Sequence, residues 1–497
     1  MPHKKAGVIY KGNVMKLTEL TEKLNNVYVY GDADISDVSS SSKHKGENWL
    51  FICNEKRPKN MNAYVREAKS NGAVAIICAE KADADIPQAV TNDVRYAYSF
   101  ICSEFFSRPQ DDMKIVAVVG TNGKTTTAHL IGKILNFAGI NCGVIGTLGA
   151  FYNGKEEPLD LTTPDPEDFF ALLKRMRDGG VKIVVTELSA HAIYYKKLAC
   201  IYFEAIIFTN CTQDHLDFFR DMESYFAAKA SVFCDEKCKY KIINADDPYG
   251  REIIRQNNKN VLSYGIKNPS DVFALRIKYG AGGTDFFLNA LDSVERVKTS
   301  LIGNFNVYNS LAAITFSVSQ NIPLKSVVAA LKECKAISGR LEMVAEYNGA
   351  TIYVDYAHTP DGLENALLTL GKITRNNLIC LFGCGGNRDK TKRSTMGKVA
   401  GDIADFVIIT SDNPRFEDPD KIISEVECGV REATWDYVCI KDRFNAIKYA
   451  VRSLSHGDVL LIAGKGAEEY QEVLGVKKPF SDKKAVNEVI GGLSTEK

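Results

Sequence analysis

The 497 residues contain no long basic tract, no surplus of either charge and no hydrophobic run of membrane-spanning length, and each absence removes a class of function. Lys and Arg together number 62, as do Asp and Glu, so the formal net charge is zero. Aromatic residues are scattered, and with that charge balance they argue against a nucleic-acid footprint covering a face. The start, Met1-Pro-His-Lys-Lys-Ala-Gly7, is not followed by an apolar signal region. Without a span of about 20 apolar residues, a cytoplasmic protein with no membrane insertion is expected. Zinc-site spacing is missing too: neither Cys234 with Cys238 nor Cys380 with Cys384 has nearby ligands to complete one. The 13 cysteines sit mostly inside apolar segments such as Ile77-Cys78 and Ile379-Cys380, and read as reduced core residues.

What is present centres on residues 114–135. The unbroken apolar run from Ile115 to Val119 fits a buried parallel strand, while Leu130, Ile131, Ile134 and Leu135 recur at helical spacing. Between them lies Gly120-Thr121-Asn122-Gly123-Lys124-Thr125-Thr126-Thr127. Small residues let backbone N–H groups turn inward on an anion, the helix N-terminus adds partial positive charge, and Lys124 supplies a full one. Thr125 can place its hydroxyl on a phosphate-bound Mg²⁺. The general phosphate loop has its first glycine five residues before the Gly-Lys pair, where this chain has Val118. The bland alternative is a glycine turn with a surface lysine; the flanking strand and helix favour a nucleoside-triphosphate user.

The length suggests roughly three domains. Strands are expected at 49–53 and, after an Asn71-Gly72 turn, at 73–78, with a helix at 61–70; this small α/β unit carries no obvious chemistry. Buried strands at 181–186 and 205–209 alternate with helices, as in a parallel sheet whose functional residues gather at strand C-terminal ends. Glu187 and Asn210 directly follow two of those strands. Residues 272–288, interrupted by Gly280-Ala-Gly-Gly283, read as a hairpin. Further on, strands at 377–382, 406–410 and 458–462 precede polar or glycine-rich turns at 383–388, 411–415 and 463–466, three ends that build one crevice. Those glycines lack the full dinucleotide spacing, so NAD is not expected.

Glu187, ending an apolar strand, is most economically a Mg²⁺ ligand together with Thr125. His215 lies in the polar cluster Thr209-Asn-Cys-Thr-Gln-Asp-His-Leu-Asp217, where a structural and a functional role stand level. Lys229, in Ala227-Ala-Lys-Ala230, reads as an ordinary solvated helix lysine.

With Gly120 to Thr127, Glu187, Asn210 to Asp217 and Ala227 to Lys229 in hand, the chain resembles the Mur ligases. The likeness continues through Leu301 to Asn309, Ser338-Gly-Arg340, Val354 to Asp361 and Gly383 to Arg393, covering roughly residues 40–485. It implies an α/β fold of three domains: a small N-terminal α/β domain binding a UDP-linked substrate (1–110), a central P-loop parallel-sheet ATPase domain (111–335) and a Rossmann-like C-terminal domain taking an amino acid (336–497). An acceptor carboxylate would attack the γ-phosphorus of ATP, giving an acyl phosphate and ADP, and an amine would then displace phosphate. The resemblance assigns Gly120, Thr121, Asn122, Gly123, Lys124, Thr125 and Thr126 to the phosphates, Asn306 and Asn309 to the adenine side, and Arg340 and Asp355 to phosphates and ribose. Asn244 to Asp247 would form a supporting turn. Mg²⁺, two ions, would be held by Thr125, Glu187, His215 and Lys229 carbamylated by CO₂. Lys124, Lys229, His215 and Arg340 would be the catalytic set.

The implied partners are a UDP-linked muramoyl dipeptide and meso-diaminopimelate. Asp412-Asn413-Pro414-Arg415 matches the family version that selects meso-diaminopimelate over L-lysine, because Arg415 can grip the distal carboxylate bidentately. Arg388, Gly464 and Glu468 match other contacts to that amino acid; outside the family, Asp-Asn-Pro would be an ordinary turn. Thr162, Thr163, Ser189 and Lys197 fall at acceptor positions.

Departures gather on the acceptor side. Ser39-Ser40-Ser41 stands for Asp-Ser-Arg, Arg57-Pro-Lys-Asn-Met61 for a His-containing Asp-Gly segment, Leu161 for Asn, Ala190 for a second Ser and Lys197 for Arg. Ala467 and Ser481-Asp-Lys-Lys484 are further exchanges. A divergent but orthodox enzyme is the favoured expectation, with a paralogue that uses another carboxylate acceptor as the alternative. An inactive scaffold would predict loss of Lys124, Glu187, His215 or Lys229, all present. Folylpolyglutamate and cyanophycin-type ligases share the loop but leave Asp412 to Arg415 without a purpose.

Overall fold

A computed structural model describes residues 14–55, 57–257, 259–280, 282–291 and 293–495; the stretch Met1 to Gly7 and Ala281 of the glycine-rich turn lie outside them. The fold is mixed α/β, in two compact units. One takes the described residues up to Val119 with 139–206 and 228–241, the other 120–138, 207–227 and the remainder from Ile242. Among the described residues no helix is long and apolar enough to cross a membrane.

The first unit holds a five-stranded sheet in the order Val27–Tyr30, Gln88–Thr91, Ala73–Cys78, Trp49–Ile52, Asp37–Ser39. All its pairings are parallel except that of Val27–Tyr30 with Gln88–Thr91. Trp49, Phe51, Met61, Val65 and Ile76 form its core against the helix Pro58–Ser70, which begins one turn before the apolar spacing implies. The same unit carries Cys142–Gly146, Ile183–Glu187 and Lys114–Val119 as adjacent parallel strands. The strand Gly149–Tyr152 runs antiparallel between Cys142–Gly146 and Lys155–Glu157.

The expected parallel sheet is present, with antiparallel strands added beyond it. In the second unit the expected hairpin is real, as Val272–Gly280 and Gly283–Ala290, but Ser293–Thr299 adds a third antiparallel strand. The reason is legible in the burial: Gly283–Ala290 alternates buried and accessible residues, the pattern of a sheet with one wet face, whereas Lys114–Val119 is buried throughout after its first residue.

The C-terminal sheet of the second unit runs Glu342–Tyr347, Ala350–Asp355, Val459–Ala463, Leu378–Phe382, Phe406–Ile409, Tyr437–Cys439. Only Glu342–Tyr347, at one edge, is antiparallel. Successive strand residues feed two separate cores: Cys380, Phe382, Val407, Ile409 and Leu461 face one, and Ile379, Leu381, Ile408, Leu460 and Ile462 the other. Helices Pro360–Gly371, Lys392–Ile403 and Pro419–Arg431 cover the first face, Arg443–Ser453 and Asp482–Thr495 the second. This double cover is why these strands read as unbroken apolar runs. The thirteen cysteines are all free, but Cys428 and Cys439 are exposed, so the reading of the cysteines as core residues fails for those two.

Arg443 and Asp482, both fully buried, pair in parallel through Nε to Oδ1 at 2.7 Å and Nη2 to Oδ2 at 2.8 Å. The guanidinium also donates to Ser411 O at 3.3 Å and Ala463 O at 2.9 Å. It thereby sets the spacing between the two strand ends that carry Asp412 and Gly464. Asp482→Asn leaves a buried cation without its counter-charge, and urea unfolding should show a loss of about 3–5 kcal/mol. A loss below about 1 kcal/mol would remove the pair from the account of stability.

Candidate active site

In the second unit the phosphate loop is wound against the strand end at Thr209 and the helix Asn304–Ser319. Thr121 N donates to Asn210 O at 3.0 Å and Asn122 N to Asn210 Oδ1 at 2.9 Å. A Cβ on Gly120 would stand 1.9 Å from Thr209 Oγ1, and one on Gly123, whose φ is +86°, 2.3 Å from Asn309 Oδ1. Glycine is thus required at both positions by close approach, and at Gly123 also by its left-handed backbone. The Lys124 ammonium rests on the loop's own carbonyls, Gly120 O at 2.8 Å and Thr121 O at 2.9 Å.

The helix Lys124–Phe137 opens with Thr125, Thr126 and Thr127 all buried. Arg340 Nη2 donates to Thr125 Oγ1 at 2.8 Å, and its guanidinium lies 4.4 Å over the Tyr356 ring. Asp355 accepts from the N–H groups of Leu341 and Ala357. Burial pushes its carboxyl above the ordinary value although Arg340 and those N–H groups pull the other way. His129, one turn into the loop helix, is lowered to about 4 by burial, with Lys133 and Arg340 adding to it, so it stays neutral near pH 7. Asn309 Nδ2 donates to Asn306 Oδ1 at 3.1 Å, and Asn306 Nδ2 to Ile302 O at 2.8 Å.

His215 takes a left-handed backbone, φ +56°, and its Nε2 lies 3.4 Å from Asp214 Oδ2. Asp214 is buried and also faces His358 Nε2 at 3.8 Å and Lys392 Nζ at 3.5 Å. Burial alone would raise this carboxyl, yet the His358 hydrogen bond and the charges of His215, Lys392 and His358 hold it well below the usual range. Asp361 Oδ2 accepts from Asn122 Nδ2 at 2.8 Å, and burial raises its carboxyl.

The turn Asp412 to Arg415 is knitted to the segment after the strand Val459–Ala463. Asn413 Oδ1 accepts from Lys465 Nζ at 3.1 Å and from Glu472 N at 2.9 Å, while its Nδ2 donates to Glu468 Oε2 at 2.8 Å. Lys465, fully buried, reaches the same Oε2 at 2.9 Å. A Cβ on Gly464, at φ +109°, would stand 2.5 Å from Asp412 Oδ2. Pro414 is buried, and Arg415 has φ +53° and donates from Nη1 to Gly386 O at 2.9 Å. Arg388 is exposed and donates from Nη1 back to Asn387 O at 3.4 Å.

In the first unit Glu187 is almost fully buried at its strand end. Its Oε1 accepts from Thr147 N at 2.8 Å and its Oε2 from Thr147 Oγ1 at 3.1 Å. Thr162 Oγ1 lies 3.1 Å from that hydroxyl, Thr163 Oγ1 donates to Glu187 O at 2.8 Å, and Ser189 N donates to Thr163 Oγ1 at 3.1 Å. Lys197 pairs with Asp165 at 2.9 Å and donates to Thr163 O at 3.1 Å. The four acceptor candidates therefore gather around Glu187. Lys229 is 0% exposed, which overturns its reading as a solvated helix lysine: an alanine-flanked helix position says nothing of which way the side chain points. Among the divergent positions, Ser39 is buried and Arg57 is occupied with Glu55 at 3.1 Å.

Residues 118–317 match the Mur ligase middle domain and 339–466 the Mur ligase glutamate ligase domain, together well over half of the chain. Over 466 residues the chain is 40% identical to the UDP-N-acetylmuramoyl-L-alanyl-D-glutamate–2,6-diaminopimelate ligase of Aquifex aeolicus, covering 92% of this chain and 94% of that one. It belongs to the Mur ligase family. The like-named enzyme of Syntrophomonas wolfei is 38% identical over 486 residues, 96% and 99% of the two chains. A solved structure of a ligase of that name aligns at 30% identity with a TM-score of 0.69, covering 97% of this chain and all of the other.

For a Mur ligase, the structure adds residues that sequence reasoning left out. Lys465 could have been suspected from Gly464-Lys-Gly466 following a strand directly. Asp214, His358 and Lys392 lie in three of the stretches that carry the resemblance, but their meeting is decided only in the fold. The same holds for Asp361, whose contact to Asn122 spans 239 residues.

Proposed function

We propose that this Mur ligase joins meso-diaminopimelate to the D-glutamate carboxylate of UDP-N-acetylmuramoyl-L-alanyl-D-glutamate, using ATP and an acyl phosphate, in peptidoglycan precursor synthesis. The observation that carries the reading is the Asp412 to Arg415 turn, braced through Asn413 to Lys465, Glu468 and Glu472. In the first step two anions must approach, and Lys124 and Arg340 supply neutralising charge, Lys124 leaving the loop carbonyls for phosphate oxygens. Gly120 to Thr126 hold the phosphates, Asn306 and Asn309 the adenine side, and Asp355 braces Arg340 through Leu341 N. Thr162, Thr163, Ser189 and Lys197 orient the acceptor. Arg388, Gly464 and Glu468 orient the amino acid, whose proximal amine must stay uncharged to attack.

Thr125, Glu187 and His215, with a carbamate on Lys229, are the proposed Mg²⁺ ligands. Their hydroxyl and carboxylate oxygens suit a hard cation, and among the described residues no cluster of three or more acidic, His or Cys side chains offers an all-protein cage. That fits an ion held partly by substrate phosphates, where it supplies positive charge to the transferring group.

The test is phosphate release from ATP with the UDP-muramoyl dipeptide, comparing meso-diaminopimelate with L-lysine. Turnover with lysine alone would sink the assignment, and activity only with another carboxylate acceptor would point to a paralogue. Arg415→Leu should lower kcat/KM for meso-diaminopimelate about 100-fold, with the KM for ATP little changed. An equal loss against ATP would mean that Arg415 supports the fold, not the amino acid.

A further inference from the structure

The phosphate loop is braced from two sides, and the second brace comes from far down the chain. On the first side Asn122 N donates to Asn210 Oδ1 at 2.9 Å, while Asn122 O accepts from Thr209 Oγ1 at 2.7 Å and from Asn210 Nδ2 at 3.1 Å. Those contacts fix the main chain. The side chain is held differently: its Nδ2 donates to Asp361 Oδ2 at 2.8 Å and, more loosely, to Thr212 Oγ1 at 3.4 Å. Asp361 lies in the first turn of the helix Pro360–Gly371, capped where Thr359 Oγ1 accepts from Gly362 N at 3.1 Å. Leu363, Ala366, Leu367 and Leu370 seat that helix in the C-terminal core. The other carboxylate oxygen of Asp361 accepts from Asn365 Nδ2 at 3.0 Å, so both oxygens receive amide hydrogens. Close by in sequence, His358 faces Asp214, as does Lys392, and Gln213 Nε2 donates to Thr391 Oγ1 at 3.3 Å.

A carboxylate beside an anion-binding loop repels phosphate, so direct contact with the nucleotide does not explain Asp361. Burial raises its carboxyl against the pull of Asn122, Asn365 and Thr212. What the placement secures is Asn122. That residue immediately precedes the left-handed Gly123, from which the helix Lys124–Phe137 starts, so a fixed Asn122 side chain fixes the turn that presents Lys124. We propose that Asp361 is a positioning residue for ATP: acting through Asn122, it keeps the phosphate loop in its anion-binding shape. This rests on the reading of Gly120 to Thr126 as the ATP loop. The grip on ATP is thereby set in part by a helix of the segment that matches the glutamate ligase domain.

The experiment follows phosphate release by the full-length enzyme with ATP and Mg²⁺ varied in turn, for wild type, Asp361→Ala, Asn122→Ala and the double variant. Asp361→Ala should raise the KM for ATP about tenfold, with kcat, the KM for the amino acid and the half-saturating Mg²⁺ concentration little changed. Because Asp361 acts through Asn122, removing it from Asn122→Ala should add less than about twofold. Asp361→Asn keeps an acceptor oxygen but no charge, and should cost about threefold. If Asp361→Ala does not fold, Asp361→Asn with and without Asn122→Ala carries the same comparison. Effects that multiply in the double variant overturn the proposal, as does an unchanged KM for ATP with only a lowered unfolding midpoint. A raised Mg²⁺ requirement overturns it too, by making Asp361 a metal ligand. Lys124→Ala with undiminished ATP-dependent turnover overturns the reading of the loop itself, so the two failures are distinct.

Discussion

Lys229→Ala should lower ATP-dependent turnover by at least about 100-fold, and short carboxylates such as formate or acetate should restore part of it. The side chain is wholly removed from water. Reaction with CO₂ converts that nitrogen into a carboxylate-bearing group, the donor type that Mg²⁺ takes. Alanine removes the tether but leaves its space, which a small carboxylate can enter. Phosphate release, measured with and without added formate and in CO₂-depleted buffer, reads each part. Full activity of the variant would remove the carbamate from the mechanism. Loss without rescue, accompanied by a lowered unfolding midpoint, would make Lys229 a packing residue.

Arg340→Ala is expected to cost about 100- to 1,000-fold in kcat, with a smaller rise in KM for ATP. Its guanidinium sits on the Thr125 hydroxyl at the start of the loop helix, steadied by the Tyr356 ring and by Asp355 acting through Leu341. A cation fixed there meets charge that develops during phosphoryl transfer, so its loss should fall on kcat. Arg340→Lys should recover little, because an ammonium cannot reproduce the planar fork held against the ring. A variant whose KM for ATP rises tenfold while kcat holds would reduce Arg340 to a ground-state nucleotide contact.

Much of the site was legible because short-range rules governed it. Ile115 to Val119 announced a buried strand, Gly120 and Gly123 a loop, and the spacing of Leu130, Ile131, Ile134 and Leu135 a helix, and the fold has all three in that order. The same rules read the three C-terminal strand ends at 383, 411 and 463. They failed where orientation decided the matter. Lys229 was read as exposed because its neighbours are alanines, and Cys428 as buried because most cysteines are. The third strand, Ser293–Thr299, was missed because its apolar residues are few and alternate with charges, the look of a surface loop.

By itself the sequence determined the chemistry class: a shortened phosphate loop, the acidic strand end at Glu187 and the Asp412 to Arg415 turn are local patterns whose meaning depends on residue type and spacing. Only the tertiary structure decided which charges meet. Asp214 with His358 and Lys392, Asn122 with Asp361, Arg443 with Asp482 and Arg415 with Glu472 are pairings between stretches 39 to 239 residues apart where hydrogen bonds record them, and the Arg415–Glu472 pairing joins a turn to the strand Tyr470–Val473. Electrostatic interaction depends on distance through space and on burial, and neither is written in the order of residues.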